Sequence, residues 1–290
     1  MKTNKAWLTV FAAITALTSA QTVRGITFGQ PDGDLHPNVG AIMITWPADL
    51  YDGLRFPFSS GTLVYKSQDG KTGVFLTAGH STDVIQAGID SGEITPDQVT
   101  VNFSPEAKSP ERDIRVVGIH TLLVHRHNYC DWDDVGILVI EADDPGALPE
   151  PAVLAPVGFL DQFSQRELHD SELVAVGYGD SLSFPPPRLV DNFPASKRQS
   201  CTPKYLNLVA HSIVEQTSGA AGNSGIAPGD SGGPLFWKDP QTGAESIVGI
   251  AHGAPGSEKA VNNWMCVAYH YRADTQLVRD FIQTVERLYP

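Results

Sequence analysis

The sequence has little cysteine and few basic residues. Its 290 residues include three cysteines, and 20 Lys and Arg residues stand against 33 Asp and Glu residues. Three cysteines allow at most one intramolecular disulfide bond, so the chain is not a disulfide-dense scaffold and its core must hold it together. The formal net charge of −13 argues against nucleic acid and anionic membranes as partners, because both bind a basic surface.

Long apolar runs are also scarce, and the clearest one is at the N-terminus. Lys2 and Lys5 come first, the apolar stretch "AWLTVFAAITAL" follows, and the small residues "TSA" end it at Ala20. This pattern predicts a secretory signal peptide over residues 1–20 and therefore a secreted, extracellular protein. The alternative is a short N-terminal anchor, but the stretch is too short to span a bilayer.

Helical periodicity is nearly absent before the last residues of the chain. Short apolar stretches bounded by Gly, Pro, Asp or Asn instead predict two sets of strands. A Pro- and Asp-rich segment at 143–158 separates them and is interpreted as a linker. The first set is predicted at 39–46, 60–66, 73–79, 114–125 and 135–142, and the second at 173–179, 207–215, 233–237, 245–253 and 264–271. Such spacing favours β-barrels or a sandwich.

One helix is predicted at the C-terminal end. Either Asp274 or Thr275 caps its start by accepting hydrogen bonds from free backbone N–H groups. Its apolar residues recur at helical spacing on one face, and they are Leu277, Val278, Phe281, Ile282, Val285 and Leu288.

Three short segments together carry the residue types of nucleophilic catalysis. "LTAGHS" places His80 after an apolar strand, "DWDDVGIL" places Asp134 before another, and "GDSGGP" places Ser231 before a third. A serine hydroxyl needs a nearby base, and the base needs an orienting partner. Histidine has a suitable pKa to take and return a proton, and a buried carboxylate fixes its tautomer. Asp133 is the second candidate for the acid.

The order of these residues along the chain decides between two hydrolase types. "GDSGG" also fits the Gly-x-Ser-x-Gly turn of α/β-hydrolases, in which the serine comes before the acid and the histidine. Here His80 and Asp134 precede Ser231, and only His252 and His270 follow it. The order His, Asp, Ser is that of the chymotrypsin type.

The chain resembles the trypsin/chymotrypsin-like serine proteases from about Ile26 to the terminal helix. "LTAGHS" is similar to the family's Thr-Ala-Ala-His-Cys, "DVGIL" to its Asp-Ile-Ala-Leu-Leu, and "GDSGGP" is its serine signature. The resemblance implies an all-β fold of two antiparallel six-stranded β-barrels with a C-terminal α-helix. The protease domain would cover 26–290, with one barrel at about 26–142 and the second barrel and helix at 159–290.

The resemblance also implies a role for each matching residue. Ser231 would be the nucleophile, His80 the general base and acid, and Asp134 the orienting carboxylate. The backbone N–H groups of Gly229 and Ser231 would form the oxyanion hole.

An activation step is implied by "ITFG" at 26–29, which is similar to the family's Ile-Val-Gly-Gly start. Cleavage after Gly25 would free the Ile26 ammonium to pair with Asp230, and residues 21–25 would be a short propeptide. The alternative is that the N-terminus stays near Gln21 and that Asp230 binds another group, such as a nearby backbone N–H.

Two family cysteines are replaced in this chain. Ser81 follows His80 where the family usually has cysteine, so that disulfide is missing. Ala227 stands where the family has a cysteine beside the substrate pocket. Cys266 resembles the usual disulfide partner of that cysteine. Because Ala227 cannot form the bond, Cys266 is either free or paired with Cys201. The pairing among these two and Cys130 is left open.

The substrate pocket also departs from the family pattern. Gly225 lies at the pocket-floor position, where trypsin-type enzymes carry Asp, so cleavage after Lys or Arg is not supported unless Glu245 or Glu258 supplies the charge. His252 and Gly253 fall on the strand that binds the substrate backbone. His252 resembles the position of a serine that bonds the catalytic carboxylate, or else it faces solvent.

These features predict a secreted serine endopeptidase that acts through an acyl-enzyme on a protein or peptide substrate. We expect a monomer with no cofactor, no metal site, no nucleic-acid partner and no membrane partner. The alternatives are a catalytically silent protease-like binding module and a serine esterase of another fold.

Overall fold

The structure is a computed structural model, and it describes most of the chain after the predicted signal peptide. The predicted segments 1–20 and 21–25, together with Cys130, Cys266 and Glu258, lie outside the described part. Only the backbone is described for 181–183 and 188–190. The described residues are 26, 29–48, 52–125, 132–179, 181–183, 188–190, 196–209, 211–218, 221–253 and 267–290.

Strands dominate the described part of the chain. The first seven are β1 (Gln30–Pro31), β2 (Val39–Thr45), β3 (Arg55–Lys66), β4 (Thr72–Thr77), β5 (Val99–Asn102), β6 (Ile114–Val124) and β7 (Asp133–Glu141). The others are β8 (Glu172–Gly177), β9 (Ser181–Ser183), β10 (Arg188–Val190), β11 (Gln199–Cys201), β12 (Lys204–Val209), β13 (Ser212–Gln216), β14 (Pro234–Lys238), β15 (Glu245–Gly253) and β16 (Val267–Arg272). The α-helices bounded within the described residues are α1 (Gly79–Ser91), α2 (Gln165–His169) and α3 (Gln276–Glu286).

The first strand set closes into a six-stranded antiparallel barrel in the order β2-β3-β4-β7-β6-β5. Alternate residues of each strand point inward, and they pack into a core that includes Ile42, Leu63, Phe75 and Leu138. Gly61 has no side chain because a Cβ there would lie 2.4 Å from the ring of Phe75. The barrel also contains β5, a four-residue strand that the sequence analysis did not predict.

The second strand set forms an eight-stranded antiparallel sheet in the order β1-β11-β8-β14-β15-β16-β13-β12. The segment predicted as one strand at 207–215 is two strands, because Val209 pairs with Ser212 in a tight hairpin between β12 and β13. The predicted linker lies along this sheet, where Ala155 N donates to the Ile247 carbonyl and Ile247 N to the Val153 carbonyl. Together the closed barrel, the second sheet and the terminal helix confirm the predicted all-β fold class.

The terminal helix α3 is confirmed, with a narrower apolar face than predicted. Val278, Ile282 and Val285 are buried, whereas Leu277 is 41% exposed and Leu288 is 62% exposed. The Thr275 side chain caps the helix by accepting from Val278 N. The other candidate for the cap, Asp274, instead accepts a hydrogen bond from Leu160 N.

The helix α1 was not predicted from the sequence. It begins directly after β4 and packs against β6 and β7. Its buried residues are Gly79, Ser81, Thr82 and Ile85, so a single large apolar residue marks the inward face. A helix that buries small and polar residues lacks the apolar periodicity on which the prediction relied. No helix in the described ranges is both long and apolar enough to cross a membrane.

Candidate active site

His80 lies in the first turn of α1, at the end of β4. The chain turns there at Gly79, where a Cβ would lie 2.8 Å from the Leu122 carbonyl oxygen and 2.9 Å from Val135 N. A glycine therefore allows the start of α1 to press against β6 and β7. The His80 side chain remains about one-third exposed, at 34%.

Asp134 lies at the start of β7 and is fully buried. Its Oδ1 accepts a hydrogen bond of 2.7 Å from the backbone N–H of His80. Its Oδ2 lies 2.7 Å from His80 Nδ1. Because an ionised carboxylate only accepts, the proton sits on Nδ1 and His80 Nε2 is left as the ring's acceptor. The two contacts fix both the position and the tautomer of the imidazole.

Each member of this pair shifts the pKa of the other. Burial by itself would lower the pKa of His80, but the charge of Asp134 and its hydrogen bond outweigh burial and raise it. Burial by itself would raise the pKa of Asp134, but the charge of His80 and the hydrogen bonds from His252 and His80 lower it far below the ordinary value. Asp134 is therefore ionised wherever the protein is folded at ordinary pH.

Asp133, the second candidate for the acid, bonds to different partners. Its Oδ1 lies 3.0 Å from His211 Nδ1 and accepts a hydrogen bond of 3.1 Å from the Tyr271 hydroxyl. His211 and Tyr271 belong to the second sheet region, so Asp133 connects the barrel to that sheet. His80 is thus bonded to Asp134, and Asp133 serves the contact between the two halves.

His252 contacts the same carboxylate from the second sheet. It lies on β15, and its Nδ1 makes a hydrogen bond to Asp134 Oδ2. The side chain is buried, in keeping with the sequence interpretation that placed it near Asp134 and not with the one that placed it in solvent. Trp132 packs against it edge to face, with ring centroids 5.9 Å apart.

Ser231 lies in the loop before β14, and two serines of β3 hold this loop in place. The Ser231 carbonyl accepts from Ser60 N at 2.9 Å and from the Ser59 hydroxyl at 2.6 Å. Gly232 follows at φ +80° and donates to the Ala251 carbonyl at 2.7 Å. A Cβ at Gly232 would lie 2.0 Å from the Thr77 hydroxyl, which shows how closely the loop approaches the end of β4.

The Ser59 hydroxyl connects the serine loop to the segment that carries His80. It donates to the Ser231 carbonyl, so its single proton is used there. The Ser81 hydroxyl, 2.8 Å away, therefore donates to Ser59. Both serines are buried. In the sequence, Ser81 is recognisable as a replaced cysteine, but Ser59 carries no signal, because only the folded structure shows that the two side chains face each other.

Among the described residues, the Ser231 hydroxyl makes no hydrogen bond to the His80 imidazole. The contacts just described instead bring the two segments together through their neighbours. Hydrogen bonds between a catalytic nucleophile and its base are often long in structures without substrate.

The backbone around Ser231 presents two N–H donors. Gly229 adopts φ +91°, and a Cβ there would lie 2.9 Å from the Cα of Gly179. Within the described ranges, neither Gly229 N nor Ser231 N donates a hydrogen bond to another protein group. Adjacent donors of this kind, beside a hydroxyl, suit an oxygen that acquires negative charge.

Asp230 is buried beside Ser231 in the chain. Its Oδ1 accepts from Gly179 N at 2.7 Å and its Oδ2 from Ala227 N at 2.8 Å. Bonding to backbone N–H groups is what the second interpretation of Asp230 expected. Ile26 is buried with Ala155, Leu160 and Ile226 in one apolar cluster and adopts φ +60°.

The predicted pocket residues lie in two places. Gly225 is buried, and a Cβ there would lie 2.1 Å from Thr217 Cγ2, so Thr217 fills the space that a side chain would need. Gly253 ends β15 at φ +139° beside His252. Glu245, considered as a source of pocket charge, lies at the opposite end of β15, where it bonds His36 Nε2 at 2.9 Å. It therefore does not charge the pocket.

Two further groups of residues were considered for the site: the cysteines and the side chains that could bind a metal ion. Cys201 is buried and free, and Cys266, which was considered as its partner, lies outside the described residues. Burial raises the pKa of the Cys201 thiol above the ordinary range. His80, Asp134 and His252 are near enough to one another to be considered as ligands of one ion. Their ring nitrogens, however, lie at hydrogen-bond distance from Oδ2, closer than ligands stand around a zinc ion.

Comparison with known proteins agrees with this arrangement. A protein-family model described as Trypsin matches residues 71–267, which is more than half of the 290 residues. A search of curated proteins finds no significant match. The matched segment runs from the start of β4 to the start of β16 and contains His80, Asp134 and Ser231. The chain therefore belongs to the trypsin family of serine proteases.

Proposed function

We propose that the chain is a secreted serine endopeptidase in which Ser231, His80 and Asp134 form the catalytic triad. The observation that carries the proposal is the pair of N–H donors at Gly229 and Ser231. They flank the serine hydroxyl, and within the described ranges no protein acceptor uses them. The hydrogen-bonded pair of His80 and Asp134 supplies the base that the hydroxyl needs.

Peptide hydrolysis would proceed in two steps. His80 Nε2 takes the proton of Ser231 as its oxygen attacks the substrate carbonyl, and the two N–H groups stabilise the resulting oxyanion. His80 then gives the proton to the leaving amine, and an ester on Ser231 remains. Water attacks this ester while His80 takes the water's proton, and the returning proton restores the Ser231 hydroxyl. Asp134 stabilises the imidazolium in both steps.

A fluorophosphonate probe combined with casein hydrolysis tests this proposal. We expect the secreted protein to be labelled and to hydrolyse casein, and we expect Ser231→Ala to abolish both. Ser224→Ala is a matched control, because Ser224 lies in the same loop and its hydroxyl donates to the Thr202 carbonyl. Absence of labelling in the processed wild type would favour a silent binding module. Labelling with ester hydrolysis but no casein hydrolysis would favour an esterase.

We also propose that the chain is activated by cleavage after Gly25, following removal of the signal peptide at 1–20. A β-branched residue is strained at positive φ, and Ile26 is buried at φ +60°. Cleavage would remove the peptide bond that defines this angle, so the strain would be released while the Ile26 side chain stays buried. The new ammonium would then be available to Asp230, which lies in a loop that also carries the oxyanion donors.

N-terminal sequencing of secreted, active protein tests the activation proposal. We expect the sequence to begin at Ile26, and we expect Asp230→Asn to lower activity while the processed N-terminus is unchanged. Full activity in protein that begins at Gln21 would refute the proposal without affecting the proposed triad.

For specificity, we propose that the pocket accepts small or apolar side chains. Gly225 carries no charge, and Thr217 occupies the space beside it. Profiling of cleavage in a peptide library tests this. Cleavage after Arg or Lys at rates well above those after Phe or Leu would contradict it.

A further inference from the structure

The Asp134 carboxylate receives three hydrogen bonds, and two of them go to one oxygen. Oδ1 accepts from His80 N at 2.7 Å. Oδ2 accepts from His80 Nδ1 at 2.7 Å and also from His252 Nδ1. The His252 side chain is 2% exposed and the Asp134 side chain 0%. Both imidazoles therefore compete, in the absence of solvent, for the charge of the same oxygen.

Both rings carry their proton on Nδ1, because the ionised carboxylate has no proton to donate. We infer that His252 is a positioning residue of the active site: by sharing Oδ2 with His80, it holds the Asp134 carboxylate in place and limits how strongly that carboxylate holds a proton on His80. This inference rests on the proposed function, since it assigns His80 the role of base. It goes beyond the expectation from the sequence, which placed His252 near the catalytic carboxylate and gave it no effect on His80.

The other described groups near Asp134 are few, so His252 is the group that can change how strongly Asp134 holds a proton on His80. Among the described residues, the charged and hydrogen-bonding partners that act on Asp134 are His80 and His252. The neighbouring carboxylate of Asp133 is occupied by His211 and Tyr271. On the ring side, the uncharged Trp132 meets the His252 ring edge to face.

The sign of the effect follows from electrostatics. A hydrogen bond to the charged form of a carboxylate stabilises that form and draws negative charge toward the donor. Without the His252 donor, the charge on Oδ2 would act on His80 alone. The protonated form of His80 would then be favoured further, and the pKa of His80 would rise. A base with a higher pKa is neutral over a smaller range of acidic pH, so activity on the acid side would fall.

Two variants of His252 separate this positioning role from simple packing. His252→Leu fills a similar volume but donates no hydrogen bond. His252→Asn places an amide N–H close to the position of Nδ1 and keeps the donor. We expect the acid limb of kcat/KM to move to higher pH in His252→Leu, so that activity at pH 6 falls several-fold relative to that variant's own plateau. We expect His252→Asn to keep the limb near that of the wild type.

A second measurement does not depend on turnover. In ¹⁵N-histidine-labelled protein carrying Ser231→Ala, the His80 ring signals report its protonation directly as pH is changed. We expect the midpoint for His80 to rise in His252→Leu and to stay in place in His252→Asn. If His252→Leu does not fold, His252→Met replaces it, because an unbranched apolar side chain adapts to irregular space.

The outcomes distinguish this inference from the proposed function. An unmoved His80 midpoint in the folded Leu or Met variant would overturn the inference, whatever the activity. Equal shifts in the Leu and Asn variants would also overturn it, because the donor would then not matter. A wild-type protein without hydrolytic activity but with the expected shift of His80 would refute the proposed function and leave the coupling of the two histidines established.

Discussion

Replacing Ser59 and Ser81 by cysteine should turn a hydrogen bond into a disulfide that strengthens the active-site framework. The two hydroxyl oxygens lie 2.8 Å apart and both side chains are buried, so the side chains already point at each other. The residues are 22 positions apart in the sequence. In the chain-entropy model, closing a loop of this length stabilises the folded state by about 3 kcal/mol.

A loss has to be subtracted from this gain. The Ser59 hydroxyl also donates to the Ser231 carbonyl at 2.6 Å, and a disulfide sulfur cannot replace that donor. The loss is about 1 kcal/mol, because the carbonyl keeps its bond from Ser60 N at 2.9 Å. Relative to the protein with both serines, the net stabilisation of the oxidised form is therefore about 2 kcal/mol, which corresponds to an increase in Tm of about 4–8 °C for a domain of this size.

The assay compares the oxidised and reduced forms of Ser59→Cys/Ser81→Cys by thermal unfolding. Ser231→Ala serves as the background so that self-digestion does not obscure the transition. The same background without the cysteines is measured in both redox conditions, which corrects for effects of the reductant on Cys130, Cys201 and Cys266. The reasoning would be refuted if peptide mapping found no bond between residues 59 and 81, or if the oxidised form melted no higher than the reduced form.

Four further predictions concern the acid, the base, the pH dependence of stability and the pocket. Asp134→Asn should lower kcat by about 10⁴-fold and move the acid limb of kcat/KM to lower pH, whereas Asp133→Asn, the same change one residue earlier, should leave the limb in place; equal effects of both variants in steady-state assays would contradict the assignment. Because Asp134 raises the pKa of His80 above 6.5, activity should increase with pH through a midpoint above that value, and a pH–rate profile with a lower midpoint would contradict this. The same raised pKa stabilises the folded protein below pH 6.5, and this contribution is lost as pH rises through the folded-state value. Gly225→Ala should destabilise the protein by about 1–3 kcal/mol by clashing with Thr217, and Thr217→Ser should recover part of the loss; urea unfolding in which Gly225→Ala matches the wild type would show that the pocket floor has room.

The strands of the fold were predictable because their apolar runs end at clear turn residues. The strand β15 matches its predicted bounds, and the helix α3 could be identified from Val278, Ile282 and Val285, which repeat at helical spacing. The helix α1 was not predicted, because the residues that it buries include Gly79, Ser81 and Thr82, which give no apolar periodicity. Its inward face is defined by the barrel against which it packs, and that is information from tertiary structure.

The chemistry of the site could be predicted further than its geometry. Short motifs pointed to His80, Asp134 and Ser231, because a nucleophile, its base and an acid require those residue types. The sequence did not identify Ser59 or Thr217. Each contacts a residue more than five positions away in the chain. The pairing of strands and loops brings these residues together, and that pairing cannot be predicted from a single sequence. The contacts of Asp133 with His211 and Tyr271 could not be predicted for the same reason.

The bond from the backbone N–H of His80 to Asp134 Oδ1 has a consequence for how the proposed activity would be lost during evolution. This N–H lies in the first turn of α1, where helix N–H groups have no partner within the helix, so the carboxylate serves as the cap of the helix as well as the partner of the imidazole. Loss of Asp134 would therefore remove about 1 kcal/mol of helix stabilisation in addition to the catalytic effect. The Ser231 hydroxyl has no comparable role in stability, since within the described ranges it bonds to no other group. A descendant that keeps the fold as a non-enzymatic binding protein would be reached most easily by replacing Ser231, and such descendants should retain the aspartate long after the serine has gone.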